Sequence, residues 1–115
     1  MNISKFKTNQ TKELEGVWID GPEGLQLRIA RNNNPALRKF LIKHGKQRDD
    51  LTEALRKGVA RYVLLGWKNL QDEEGKDVVY SSETAEQLFK DFPDFFDMVL
   101  AYSNDVDYFK DFEGN

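Results

Sequence analysis

The sequence contains no cysteine and a single histidine in 115 residues. The first absence excludes disulfide scaffolds and thiolate metal sites, and it permits a reducing compartment. The second leaves His44 alone to serve general-base chemistry, which needs a positioned partner that sequence does not identify. A histidine near the end of a candidate helix is also favoured there by the helix dipole. No apolar run approaches the roughly 20 residues a membrane-crossing helix needs, and no long apolar stretch follows Met1. Neither a membrane span nor a signal peptide is expected, and the cytoplasm is the default location. Gly-x-Ser-x-Gly is missing. Gly21-Pro22-Glu23-Gly24 lacks the Lys-Ser/Thr ending of a phosphate loop. Asp72, Glu73, Glu74 and Asp77 surround Gly75 without the spacing of an EF-hand. The sequence therefore points to a protein that is not an enzyme, with no catalytic residues, no cofactor and no metal.

What is present suits one globular domain. Hydrophobic residues make up 39% and charged residues 32%, a balance far from that of disordered chains. The core of so short a chain must lean on eight Phe, four Tyr and two Trp, each of which buries a large area. The net charge of −3 conceals an asymmetry. Residues 1–68 hold 14 Lys/Arg and 7 Asp/Glu, whereas residues 69–115 hold 3 and 13. Such a division suits either solvated helix faces or head-to-tail association.

Residues 1–13 are polar and basic and show no apolar period, so they are expected to form a flexible arm. Val17 and Ile19 alternate with Trp18, and Leu25, Leu27 and Ile29 alternate with Gln26, Arg28 and Ala30. This period of two on either side of a Gly/Pro turn predicts a β-hairpin with Leu25, Leu27 and Ile29 buried. Two strands alone are marginal, so the hairpin must pack on helices or pair further. Asn34-Pro35 is a helix start, followed by Leu37, Phe40, Leu41 and His44 at helical spacing and a stop at Gly45. After a connection at residues 47–49, Asp50 and Glu53 resemble a capping box.

The stripe Leu51, Ala54, Leu55, Gly58, Val59, Tyr62, Val63 predicts a second helix, stopping at Gly66. Gly58 on the apolar stripe implies close approach of another element. Trp67 to Leu70 read as a link, and Val78 to Tyr80 as a candidate third strand for the hairpin edge. Ser81-Ser82 opens a third helix with Ala85, Leu88, Phe89 and Phe92 on its apolar side, and Pro93 breaks it. A fourth carries Phe95, Phe96, Val99, Leu100 and Tyr102. Residues 14–103 form the domain. Residues 104–115 form an acidic tail in which Phe109 and Phe112 are suited either to docking on a partner or to fraying.

Arg28, Arg31, Arg38, Lys39, Lys43, Lys46 and Arg48 form a basic belt near Trp18 and Phe40. It admits nucleic-acid binding, although the pI of about 5.2 argues against it. The residues singled out as protein-contact candidates are Trp18, Phe40, Tyr62 and Phe96; aromatic side chains dominate such interfaces.

The ordered segments Glu15 to Ile19, Leu25 to Arg31, Asn33-Asn34-Pro35 and Val63 to Leu70 together carry a resemblance. Asp72-Glu73-Glu74-Gly75, Val79-Tyr80-Ser81 and Ala85, Leu88 and Phe89 continue it. Over about residues 15–100 the chain resembles small phage tail assembly chaperones of long-tailed phages and prophages. The resemblance implies a protein that binds the tape measure protein, keeps it soluble and helps recruit tail tube subunits. It would act in the cytoplasm of the bacterial host and be absent from the mature virion. Weak homo-oligomerisation would suit a long client. The rival readings are a nucleic-acid-binding or regulatory phage protein and a structural tail or head-completion protein of the virion. The expected fold is α+β and mostly α, with an N-terminal hairpin packed on about four helices.

Overall fold

The computed structural model describes residues 1–46 and 50–111. The alternating segment forms the expected hairpin. Strand β1 (Val17–Asp20) pairs antiparallel with β2 (Gln26–Ile29), Val17 opposite Ile29 and Ile19 opposite Leu27. Between them Glu23 and Gly24 both take the left-handed conformation, which closes the turn. Ile19, Leu25, Leu27 and Ile29 are buried, as their period of two requires.

A third strand completes the sheet in the order β1-β2-β3, but it is not the segment expected. Strand β3 is Leu64–Lys68, paired antiparallel with β2. Leu27 faces Trp67 and Ile29 faces Leu64, with the register shifted between Arg28 and Ile29. That shift lets Leu64 and Trp67 both face the core although they are three positions apart. A spacing of three imitates a helix, which is why the apolar stripe runs on in sequence past the true helix end. Val78 to Tyr80 form no strand; Gln71 and Asp77 make only an isolated bridge.

Among the described residues four helices of ten or more residues complete the domain, three of them packed on the sheet and one on its neighbouring helix. Helix α2 (Pro35–Lys46) runs one residue beyond Gly45. Asn34 caps it, with Oδ1 accepting from the Leu37 amide at 3.0 Å. The connection at residues 47–49 lies outside the described residues. Asp50 caps α3 (Leu51–Tyr62) through the Thr52 amide. Ser81 caps α4 (Ser82–Asp91), and Pro93 opens α5 (Pro93–Asn104). The core lies between the sheet and these helices and includes Leu37, Val59, Val63, Ala85, Phe89 and Val99. Gly58 fulfils its expectation, since a Cβ there would stand 2.7 Å from Leu37 Cδ1 of α2. Two stripe residues do not join the core: Leu51, in the first turn of α3, is 72% exposed, and Phe92 is 48% exposed.

The chain ends are more ordered than their polarity suggests. Asn9 accepts from the Lys12 amide and caps a short helix, α1 (Gln10–Glu15), which begins inside the segment expected as an arm and runs two residues past it. The Asn9 amide donates to the Phe109 carbonyl at 2.7 Å, and Lys12 Nζ donates to the Lys110 carbonyl at 2.7 Å. Phe109 is fully buried, with the Arg31 guanidinium 5.4 Å from its ring centre. It is therefore a core residue and neither a docking nor a fraying one; Phe112 lies outside the described residues. Residues 1–7 carry a 3-10 turn at Ile3–Phe6 and remain exposed.

Candidate functional site

A groove runs between the loop after β3 and the corner where α4 meets α5. Leu70 and Val78 form one wall and Leu88, Phe92 and Phe95 the other; Asp72, Glu73 and Glu74 stand at its rim. Its volume is about 690 Å³, within the range of sites that receive side chains or ligands.

Local chemistry builds each wall. Phe92 ends α4 with φ −132° and ψ 80°, because a residue before proline is driven out of the helical region. Its ring thereby leaves the buried stripe of Ala85 and Phe89. The opposite wall is held by Trp67, whose Nε1 donates to the Val78 carbonyl at 2.7 Å. Tyr80 packs edge-on against Trp67 at 4.8 Å and donates its hydroxyl to the Leu64 carbonyl. Burial, and secondarily the Glu83 carboxylate, raises the Tyr80 pKa above its ordinary value. At the rim Asp72 Oδ1 accepts from the Glu74 and Lys76 amides, both at 2.9 Å, so a side-chain turn shapes the acidic loop. Among the described residues no three His, Asp or Glu side chains are grouped to hold a metal ion.

The four contact candidates do not form one surface. Trp18 lies on the outer face of the sheet, 48% exposed, with Lys68 Nζ 4.4 Å from its ring centre. Phe96 is half-buried against Phe89 at 4.9 Å. Phe40 and Tyr62 do meet, at 5.6 Å, but Phe40 is only 8% exposed, and it packs on His44 at 4.1 Å. This pair contributes to a shallow pocket with Ile42, Lys39, Lys43 and Arg61.

The basic belt is divided in the same way. Arg28 Nε donates to the Glu15 carbonyl on the sheet, and Arg31 pairs with Glu13 at 3.6 Å. Arg38, Lys39 and Lys43 are exposed along α2. Sequence reasoning placed Leu88 and Phe92 in the core and Leu70 in a link, and so missed the groove. The available signal was Phe92 itself, an aromatic before proline between Asp91 and Asp94.

The fold defines a small α+β domain, mostly helical, with an apolar groove on its surface. No helix among the described residues is long and apolar enough to cross a membrane. The chain belongs to the YdaY prophage protein family, whose model matches residues 23–114. No curated protein and no solved structure matches it. It is thus a prophage protein, in keeping with the phage character the sequence resemblance implies.

Proposed function

We propose that this prophage protein is a tail assembly chaperone, which binds the tape measure protein, keeps it soluble and helps recruit tail tube subunits around it. The observation that carries this reading is the apolar groove of Leu70, Val78, Leu88, Phe92 and Phe95. Half-exposed Phe92 in that groove is a ready contact for an apolar client. The ordered sequence resemblance over about residues 15–100 adds the identity of the client. The protein acts by holding, without catalysis or cofactor, in the host cytoplasm, and it leaves before the virion is complete. Weak self-association lets several copies coat one long client.

The test is co-expression with the tape measure protein encoded by the same prophage. Soluble tape measure protein that co-purifies with this chain supports the proposal. Insoluble tape measure protein with nothing co-purifying overturns it, and so does recovery of this chain by mass spectrometry from purified particles. A second reading rests on exposed Arg38, Lys39 and Lys43 along α2: nucleic-acid binding through phosphate contacts. It requires a salt-sensitive shift of labelled DNA that is lost when Arg38 and Lys39 are changed to Glu.

A further inference from the structure

We infer that the groove between residues 70–78 and the α4–α5 corner receives a basic amphipathic helix from a partner protein. The inference deepens the proposed function and rests on its premise that the chain holds a protein client.

Three observations specify the occupant. The first is the rim. Asp72, Glu73 and Glu74 are exposed at the mouth of an apolar groove. Glu74 has Lys76 at 3.6 Å, but both side chains are more than three-quarters exposed (77% and 76%), so their mutual neutralisation is weak. An occupant with apolar residues on one face and Lys or Arg beside them satisfies both floor and rim.

The second is the backbone of the loop wall. The Val78 amide donates to the Leu70 carbonyl at 2.8 Å, and the Asp72 amide to the Lys76 carbonyl at 2.8 Å. The Val78 carbonyl already accepts from Trp67 Nε1. An added strand needs main-chain partners, and at Asp72 and Val78 those of this wall are already engaged. The apolar side chains of the walls suit recognition of another kind, in which a helix lays apolar residues at i, i+3, i+4 and i+7 into a groove. Leu88, on α4, and Phe92, just past its end, offer such a helix two apolar contacts on one wall.

The third concerns the rival occupant, a second copy of this chain. Its cationic helices are α2 and α3, where Leu37, Phe40 and Val59 are turned into the core and each helix leaves one large apolar residue exposed, Ile42 at 62% and Leu51 at 72%. One such side chain on either helix does not fill a groove walled by five.

The test uses the full chain and two labelled helical peptides with identical Leu spacing, one with Lys and the other with Glu at the flanking positions. Fluorescence anisotropy is expected to give at least about tenfold tighter binding of the Lys peptide at low salt, narrowing as salt screens the rim. Glu73→Lys with Glu74→Lys should abolish or invert that preference, and Phe92→Ser should weaken both peptides. These positions are exposed, so circular dichroism should show unchanged folds. Equal affinity for both peptides, or a preference that survives the charge reversal, overturns the inference. Oligomers in sedimentation that Phe92→Ser disperses and the Lys peptide does not would assign the groove to a second copy and also overturn it. The two readings fail separately. If the Glu73/Glu74 and Phe92 variants keep the tape measure protein soluble as wild type does, the groove inference falls and the chaperone stands. If the Lys peptide binds as expected but the tape measure protein stays insoluble, the chaperone reading falls alone.

Discussion

The Nδ2 of Asn34 donates to the Tyr62 carbonyl at 2.9 Å, joining the start of α2 to the end of α3. The same amide donates to the Arg31 carbonyl at 2.9 Å while Oδ1 caps the helix. Asn34 is 6% exposed, so these three bonds satisfy a buried polar group that water does not reach freely. On an exposed helix Asp caps as well as Asn does. Here Asp retains the cap but turns a carboxylate toward two carbonyls. Asn34→Asp is expected to cost about 2 kcal/mol at neutral pH. Urea denaturation measures it, and stability equal to wild type would show that the two donor bonds contribute nothing.

Gly58 sets the distance between α2 and α3. A methyl there meets Leu37 Cδ1 at 2.7 Å and Phe40 Cδ1 at 3.0 Å. Leu37 is 1% exposed and has little room to withdraw. Alanine improves helix propensity by about 1 kcal/mol, while overpacking costs about 1–3 kcal/mol. The sum is a net loss for Gly58→Ala of about 1 kcal/mol. A raised midpoint in the same urea titration would show that the helices separate easily.

Gly58 and Gly66 show how far the pattern could be read. Gly58 sits on the apolar stripe of a single helix, and its role followed from period and size alone. Gly66 was taken for a helix stop, yet it pairs with Arg28 inside β3. The bulge that places Leu64 and Trp67 on one side is a property of pairing with β2, a segment 35 or more residues earlier, and no local window contains it. The hairpin, the caps at Asn34, Asp50 and Ser81, and the break at Pro93 are all local features, and all were legible. The groove was not, because its two walls meet only after β3 and α4 have packed. Trp18, Phe40, Tyr62 and Phe96 were chosen by residue type, which carries no information about which way a ring turns.

Tyr80 makes stability depend on alkaline pH. Its hydroxyl donates to the Leu64 carbonyl, and its pKa is raised, first by burial and then by Glu83, from an ordinary 10.0. The folded state therefore holds the proton more tightly than the unfolded chain. The stabilisation is fully present below the unfolded pKa and is lost as pH rises through the folded one. Tm measured across the alkaline range should fall more steeply for wild type than for Tyr80→Phe. Parallel curves would mean that the phenol ionises without hindrance. Because Tyr80 packs on Trp67, the wall of the groove should loosen over the same pH range.

Phe109 and Tyr108 are neighbours with opposite surroundings, and they decide whether the acidic C-terminal segment belongs to the folded domain. Phe109 is fully buried, while Tyr108 is 38% exposed and meets Tyr102 edge-on at 5.8 Å. Phe109→Ala removes a ring from the core and from beneath Arg31, with an expected cost of about 3–5 kcal/mol. Tyr108→Ala loses chiefly one aromatic pair and should cost less than about 1.5 kcal/mol. The larger loss should extend to the N-terminal side, since the Asn9 amide is bonded to the Phe109 carbonyl. Hydrogen exchange at residues 9–16 should accelerate in Phe109→Ala and remain slow in Tyr108→Ala. Equal, small losses in both variants would mean that the two chain ends close over the sheet without supporting it.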